Sequence, residues 1–170
     1  METATRKVIG RNIRIIREAS GLSQINFALL TGLSRASIVN IESGKKGYNL
    51  DLLDKILAFS NYKIDDIIKN DFNPPYNLRE ILVKYHRNDL PNYTTLNETP
   101  TIVYAVKYRL LKTKFLDTPK EINEIRSFFE QFGWYYLGTS IQNALKRMPE
   151  LILVEKHPVK QNTFTYVRRQ

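Results

Sequence analysis

The chain of 170 residues is long enough for one medium-sized domain or two small ones, and its hydrophobic content of 42% favours packed cores over a disordered chain. With 26 Lys and Arg against 17 Asp and Glu, the formal net charge is +9. A polyanion, either nucleic acid or an anionic membrane surface, is therefore a reasonable partner. The sequence has no cysteine, which excludes disulfides and thiolate metal sites.

Other sites and locations are also disfavoured. His86 and His157 are far apart in the sequence and lack nearby carboxylates at metal-ligand spacing. No apolar run approaches the roughly 20 residues that span a bilayer. The first residues, METATRKVIGRNIRIIRE, are amphipathic and interrupted by arginines, unlike a signal peptide. We therefore expect a cytoplasmic protein with no membrane partner, no metal and no other cofactor.

Asn73-Pro74-Pro75 is the strongest candidate boundary, because consecutive prolines block helix continuation. Eight of the ten tyrosines lie beyond residue 73, so the composition also changes there. The sequence thus predicts a domain over 1–72, a linker with one helix over 73–100, and a second domain over 101–170.

Turn and capping residues divide the first domain into five predicted helices. Ile9, Ile13 and Ile16 share one face of the first helix. Ser23 and Ser34 are expected to cap the second and third helices, and two further helices are predicted over about 49–59 and 63–69. The expected inward residues of helices two to five are Phe27, Ala28, Thr31, Ile38, Ile41, Leu50, Leu53, Ile56, Leu57, Ile64, Ile67 and Ile68.

The segment GLSQINFALLTGLSRASIVNIESGKK, residues 21–46, combines two short helices with a glycine turn. Ala28 is small where the next helix crosses close to it, and Gly32 permits the backbone angle of the turn. This segment resembles the helix-turn-helix of the phage repressor/Cro (Xre-like) family, and the resemblance covers residues 8 to about 68. It rests on Leu22, Ser23, Gln24, Ala28, Gly32, Ser34, Ile38, Ile41, Glu42, Gly44 and Lys45.

The resemblance implies a reader of double-stranded DNA whose helix 34–42 enters the major groove. Arg35 suits a bidentate contact with guanine, Asn40 suits adenine or a phosphate, and Ala36 suits a thymine methyl group. Arg17 and Glu42 match a structural ion pair of the family. The implied DNA-contacting residues are Gln24, Ser34, Arg35, Ala36, Ser37, Asn40, Lys45 and Lys46, of which Gln24 and the two lysines suit phosphates.

Aliphatic residues depart from the family pattern at Ile25, Leu29, Leu30 and Val39, where charged or polar residues are usual. Ile25 and Leu29 are four residues apart and share a helix face. Because exposed aliphatic pairs often mark a contact, we expect this face to pack against the second domain, the linker or a partner subunit.

The second half shows helical spacing at Leu78, Ile81, Leu82 and Tyr85, followed by an expected loop over 88–100. Three more helices are predicted. The first covers 101–114. The second opens at Thr118-Pro119, with Thr118 as N-cap and Glu121 completing a capping box, and ends near residue 133. The third runs from about Ser140 to Arg147.

The hydrophobic period then changes from that of a helix to that of a strand. Two strands are predicted, Leu151–Lys156 and Thr163–Arg168, joined by a polar turn. Helices followed by a hairpin give residues 101–169 a broad resemblance to a winged helix. Gly138–Arg147 would be the second helix of its pair, and this half would bind either DNA or protein. The candidate wing contacts are His157, Lys160, Arg168 and Arg169.

The predicted fold is therefore mostly α, with a five-helix lambda-repressor-like domain followed by a winged-helix-like α+β domain. The predicted function is a sequence-specific transcriptional regulator that binds operators as a homodimer. The alternative is an antitoxin-like or mobile-element control protein whose C-terminal half grips a partner protein. We expect no enzymatic activity, because there is no cysteine nucleophile, no glycine-rich phosphate loop and no legible nucleophile–base pair.

Overall fold

The computed structural model describes residues 2–169, and the chain folds into two compact units, Met1–Glu98 and Thr99–Gln170. The segment expected to be a linker is therefore part of the first unit up to residue 98. The helices of that unit are α1 Glu2–Ala19, α2 Gln24–Thr31, α3 Arg35–Ser43, α4 Leu50–Ser60, α5 Ile64–Ile67, α6 Leu78–Tyr85 and α7 Leu90–Asn97.

Capping residues set the bounds of α2 and α3. The Ser23 hydroxyl accepts a hydrogen bond from the Asn26 amide at 3.1 Å, and the Ser34 hydroxyl accepts one from the Ser37 amide at 3.0 Å. Gly32 and Gly44 end the two helices in the left-handed region, at φ values of 66° and 61°. Both predicted N-caps are confirmed.

The core of the first unit is formed by the inward faces of α1 to α5, together with Leu78 and Leu82 of α6 and Leu96 of α7. Each of its residues removes an aliphatic or aromatic side chain from water, which stabilises the fold by roughly 1.5–3 kcal/mol. Leu50, Ile64 and Ile68 were expected to face inward and are instead 68%, 42% and 45% exposed. Leu50 is the first residue of α4, and α5 is a single turn, so only part of each apolar stripe reaches the core.

The prediction of a loop over 88–100 is wrong, because α7 lies within it. Asp89 caps α7 by accepting a hydrogen bond from the Asn92 amide at 3.2 Å, and Pro91 occupies the first turn. The helix is mostly polar and buries only Leu96, so its apolar periodicity is weak.

Polar contacts join the segment after residue 73 to the rest of the first unit. The buried Arg79 guanidinium donates to the carbonyl oxygens of Ser20 at 2.5 Å and Glu98 at 2.6 Å. His86 stacks on Phe59, with ring centroids 4.9 Å apart, and its Nε2 lies 2.8 Å from the Phe59 carbonyl oxygen. This segment is therefore not a free linker.

The second unit begins with α8 Ile102–Tyr104, which continues as a π-helical segment Ala105–Arg109 and a 3-10 turn Leu110–Lys112. A second 3-10 turn, Phe115–Asp117, follows. The remaining elements are β1 Lys120–Glu121, α9 Ile122–Glu130, α10 Gly138–Lys146, β2 Ile152–Lys156 and β3 Phe164–Arg168.

The three strands form an antiparallel sheet in the order β1-β3-β2. Tyr166 of β3 lies opposite Lys120 on one side and Val154 on the other. The predicted hairpin is thus present, with each strand starting one residue later than expected. The core beneath the sheet contains Ala105, Val106, Leu110, Leu116, Ile125, Phe128, Phe129, Ile141, Leu145, Met148, Ile152 and Tyr166.

The predicted helix start at Thr118-Pro119 is wrong. Glu121 is the N-cap of α9, and its amide donates to the Glu124 carboxylate at 2.8 Å. The two residues after Pro119 pair with β3 instead. This pairing joins residues about 45 positions apart in the sequence, so local capping signals do not reveal it.

Candidate nucleic-acid interface

One open concavity gathers most of the side chains predicted to contact DNA. It is lined by residues of α3 and the turn after it, namely Arg35, Ala36, Val39, Asn40, Ser43, Lys45 and Lys46. The opposite face of α3 presents Ile38 and Ile41, both fully buried, to the core. The core therefore fixes which face of α3 is turned outward.

Val39 was noted only as a departure from the family pattern, yet it lies among the candidate base-reading residues. It is 43% exposed, between Ala36 and Asn40 on the same helix face. A branched aliphatic side chain at this position suits contact with a thymine methyl group. The i, i+4 spacing from Arg35 was the signal in the sequence for its inclusion.

Asn40 and Ser43 shape the turn that carries the two lysines. The Asn40 side-chain amide donates to the Gly47 carbonyl oxygen at 3.3 Å. The Ser43 hydroxyl accepts from the Lys45 amide at 3.3 Å and donates to the Asn40 carbonyl oxygen at 2.8 Å. These bonds hold the turn against α3 and leave Lys45 and Lys46 exposed.

Ser34 and Ser37 lie at the start of α3, but their hydroxyls already have partners. Ser34 caps the helix, and its Oγ lies 2.9 Å from the Ser37 Oγ. Ser37 is half-buried. The pair therefore orders the N-terminal end of α3, and one of its two hydroxyl protons is used within the pair.

Arg17, Gln24 and Glu42 form one cluster that joins α1, α2 and α3. Arg17 donates to the Glu42 carboxylate through Nε at 2.5 Å and Nη2 at 3.1 Å, and through Nη1 to the Leu22 carbonyl oxygen at 3.1 Å. The Gln24 amide donates to the same carboxylate at 3.0 Å. The expected Arg17–Glu42 pair is present, whereas Gln24 lies in this cluster and outside the concavity.

Two glycines bring α1 very close to α3. A methyl group added at Gly10 would lie 2.3 Å from the Ile41 carbonyl oxygen and 2.9 Å from that of Glu42. One added at Gly44 would lie 2.8 Å from the Lys7 Cα. The start of α1 is therefore packed, backbone against backbone, beside the end of α3.

Tyr48 follows this turn and is half-buried, and its hydroxyl has no hydrogen-bond partner among the described residues. Burial raises the pKa of the Tyr48 hydroxyl, and the nearby positive charge of Arg6 partly opposes that rise. Tyr48 is therefore neutral at ordinary pH.

The four candidate wing residues fall into two separate pairs. His157 and Lys160 lie at the hairpin turn, where both contact Glu121: the His157 Nε2 is 3.4 Å from the carboxylate and the Lys160 ammonium pairs with it. Arg168 and Arg169 lie at the far end of β3, roughly 14 Å away at 3.4 Å per residue. Only the first pair is therefore at the tip.

Arg168 and Arg169 serve the base of the hairpin. Arg168 donates to the carbonyl oxygens of Leu111 at 2.6 Å and Thr113 at 2.5 Å. Arg169 donates to the Pro149 carbonyl oxygen at 2.8 Å. The sequence did not reveal these contacts, because all three acceptors are backbone groups in other elements.

The exposed face of α10 is polar and becomes basic towards its end. Its buried residues are Ile141, Ala144 and Leu145. The opposite face presents Thr139, Ser140, Asn143, Lys146 and Arg147, all exposed.

Of the three contacts expected for the face of Ile25 and Leu29, the one with the predicted linker is not made by residues 73–98 of the first unit. These side chains are 61% and 70% exposed. Although α7 packs against α2, it leaves this face of α2 uncovered.

Across the described residues 2–169, no helix is long and apolar enough to cross a membrane. Within the same residues, no group of three or more His, Asp or Glu side chains is arranged to hold a metal ion.

Residues 13–67 match the helix-turn-helix family. The resemblance to Xre/Cro-like helix-turn-helix proteins is thereby confirmed for this segment. The chain is also similar to the antitoxin PezA of Streptococcus pneumoniae, with 34% identity over 64 residues. The aligned part is 38% of this chain and 40% of PezA, so the chain spans well under half of that relative. No solved structure matches the chain significantly.

Proposed function

We propose that the helix-turn-helix of residues 13–67 makes this chain a sequence-specific regulator of transcription that reads double-stranded DNA through α3. The observation that carries the proposal is the concavity in which Arg35, Ala36, Val39 and Asn40 lie beside two exposed lysines. Base-edge contacts supply specificity, whereas lysine contacts with phosphates supply affinity and register. Both kinds of side chain are present on one helix and its adjoining turn.

The proposed roles follow from side-chain chemistry. Arg35 donates two hydrogen bonds to a guanine, and Asn40 contacts an adenine or a phosphate after leaving Gly47. Ala36 and Val39 contact thymine methyl groups. Lys45 and Lys46 bind phosphates, and Gln24, at the first turn of α2, adds a phosphate contact. Ser34 and Ser37 contact DNA at the N-terminal end of α3, which Ser34 caps, and not along the rest of the helix.

We propose that the protein binds its operator as a homodimer with two-fold symmetry. Ile25 and Leu29 remain the aliphatic pair that a partner subunit would cover, since both are exposed within the chain. Half-sites would then lie about one helical turn of DNA apart.

For residues 101–169 we propose a winged-helix fold. The support is the order helix, strand, two helices and hairpin, together with the sheet order β1-β3-β2. In this proposal His157 and Lys160 are wing contacts with DNA, and they would exchange Glu121 for phosphates. Arg168 and Arg169 would contact DNA only at the base of the hairpin.

Selection of bound sequences from a random pool of duplex DNA tests the proposed function. The full chain should enrich one short motif, with an affinity that falls steeply as salt is raised. Enrichment of no motif would reject sequence-specific reading. Arg35→Ala serves as the matched variant and should lose the motif while keeping weak, salt-dependent binding.

A second candidate is a control protein of the antitoxin kind, in which the C-terminal half holds a partner protein. It is favoured by the similarity to an antitoxin over the N-terminal region. It is also favoured by the segment between α9 and α10, where Phe132, Tyr135 and Leu137 are 45%, 77% and 74% exposed. A partner that co-purifies with the wild type but not with Tyr135→Ala/Leu137→Ala would support it. Full DNA affinity in a homodimer that binds no other protein would count against it.

A further inference from the structure

The turn after α3 is the meeting point of two basic segments of the chain. Lys45 and Lys46 lie on the turn, and Arg6 and Lys7 lie on the part of α1 that packs against it. Neither segment carries an acidic residue: the sequence has no Asp or Glu from residue 3 to 17 or from 43 to 50. Four cations are thus gathered, and the carboxylates that flank the two segments in the sequence are those of Glu2, Glu18, Glu42 and Asp51.

Their proximity is fixed by backbone packing. A methyl group on Gly44 would meet the Lys7 Cα at 2.8 Å, and the Arg6 carbonyl oxygen and Lys7 amide nitrogen at 2.9 Å each. Only a glycine fits so close to another backbone. The crossing at Gly10 anchors the same helix a turn further along. The start of α1 is therefore held at a fixed position relative to the end of the reading helix.

The Arg6 side chain reaches the turn after α3. The Arg6 guanidinium packs against Gly47, with Nη2 at 3.6 Å and Cζ at 3.7 Å from the position of an added methyl group. Lys7 is exposed, as are Lys45 and Lys46. The Arg6 charge is also close enough to Tyr48 to oppose the rise in the pKa of the Tyr48 hydroxyl. Positive charge therefore continues from the turn onto α1.

We propose that Arg6 and Lys7 form, with Lys45 and Lys46, a phosphate-binding surface that extends DNA contact from the turn after α3 onto the start of α1. This inference rests on the proposed function and deepens it by assigning a second element to the DNA backbone. Such contacts position the reading helix and carry no base preference. The sequence did not indicate them, because both residues lie before residue 8, where the resemblance to the family begins.

The test measures how the affinity of the full chain for a random-sequence duplex of about 30 base pairs depends on salt. Each phosphate contact contributes about 0.9 to the slope of log affinity against log salt. Lys7→Ala should therefore lower the slope by about 1. The ratio of wild-type affinity to Lys7→Ala affinity should therefore fall roughly 3.5-fold as salt is raised from 50 to 200 mM. Arg6→Ala/Lys7→Ala should lower the slope by about 2.

Lys55→Ala is the matched control, since Lys55 is an exposed cation on α4 and lies outside this cluster. It should keep the wild-type slope. Lys46→Ala is the positive reference and should lower the slope as Lys7→Ala does. Because Arg6 packs against Gly47, a thermal melt of each variant separates misfolding from lost contacts. Lys7 is exposed, so its variant tests the proposal even if Arg6→Ala unfolds.

The outcomes separate the two claims. If the wild type shows no salt-dependent binding, both the proposed function and this inference are wrong. If the wild type and Lys46→Ala behave as expected but Lys7→Ala keeps the wild-type slope, this inference alone is overturned. If Lys7→Ala lowers the slope and also changes the motif selected from a random pool, a phosphate role is overturned in favour of base reading.

Discussion

Glu42 links three helices of the helix-turn-helix segment. Its carboxylate accepts hydrogen bonds from Arg17 and Gln24, and only 5% of the side chain is exposed. Removing one partner of a buried ion pair leaves the other charge without compensation. We expect Glu42→Gln to lower the free energy of unfolding of the first unit by about 3 kcal/mol. Hydrogen exchange of the α1 and α3 amides measures this.

Lys69→Ala is the matched control for that measurement. Lys69 pairs with Asp66 three residues earlier, and the two side chains are 56% and 37% exposed. Exposed pairs contribute little, so this variant should change the free energy of unfolding by less than about 1 kcal/mol. Equal effects from Glu42→Gln and Lys69→Ala would show that the buried cluster does not stabilise the first unit.

Glu121 gives the second unit a dependence on pH. The hydrogen bond from Lys160, its charge and that of His157 lower the pKa of this carboxyl below its usual value. A carboxyl whose pKa is lower in the folded state stabilises the fold above its unfolded pKa, and this stability is lost as pH falls through the folded pKa.

Urea unfolding should therefore become easier as pH falls below the usual range of a glutamate, and Glu121→Gln should flatten this change. Fluorescence of Trp134, the one tryptophan of the chain, reports the second unit. An unchanged pH profile in Glu121→Gln would contradict the assigned cause.

Among the secondary-structure elements, the crossing of α1 and α3 is the most sensitive to substitution. A methyl group at Gly10 would lie 2.3 Å from a backbone oxygen of α3, and neither backbone can move without displacing α3. We expect Gly10→Ala to lower both the thermal midpoint and the DNA affinity. Gly138→Ala is the control, because a methyl group at that helical position meets nothing within 4 Å. It should be neutral or stabilise by about 0.4–1 kcal/mol.

Local signals were sufficient for some elements and not for others. Ser23, Ser34 and the glycines after α2 and α3 allowed those helices to be placed from the sequence, because caps act within a few residues. The two-residue strand β1 depends on pairing with β3, which no local pattern indicates. The helix α7 buries one residue, so it lacks the apolar period that identifies helices.

The candidate nucleic-acid interface could also be predicted only in part from local sequence signals. Arg35, Asn40 and the two lysines follow from the motif, since their positions on α3 and its turn are fixed by helical spacing. The partners that the structure gives to Gln24, Asn40 and Arg168 do not follow from it. Those contacts join residues of different elements, or a side chain and a backbone carbonyl.

For the whole molecule, the sequence predicted a first domain that ends at residue 72, whereas the first compact unit ends at residue 98. Arg79 and His86 bind carbonyl oxygens of Ser20 and Phe59, so a fragment 1–72 would leave those contacts unmade. We expect a fragment of residues 1–98 to unfold at a clearly higher temperature than a fragment of residues 1–72. Thermal unfolding monitored by circular dichroism measures the two midpoints. Equal midpoints would show that α6 and α7 do not stabilise residues 1–72.

Charge is also unevenly distributed between the units. Residues 1–98 carry 14 Lys and Arg against 11 Asp and Glu, whereas residues 99–170 carry 12 against 6. The second unit is therefore the more basic one, although the matched segment lies in the first. We expect charge reversal at Lys146 and Arg147, the exposed cations at the end of α10, to weaken binding of the full chain to random-sequence DNA. Unchanged affinity would assign this basic surface to another role.

The central claim is that α3 reads bases and the turn after it holds the backbone. The most direct measurement is the affinity of wild type, Arg35→Ala and Lys46→Ala for the selected site and for every single-base variant of it. Arg35→Ala should lose about 1–3 kcal/mol of discrimination at one base pair and keep it elsewhere. Lys46→Ala should weaken all sites about equally. Unchanged discrimination at every position in Arg35→Ala would contradict the account.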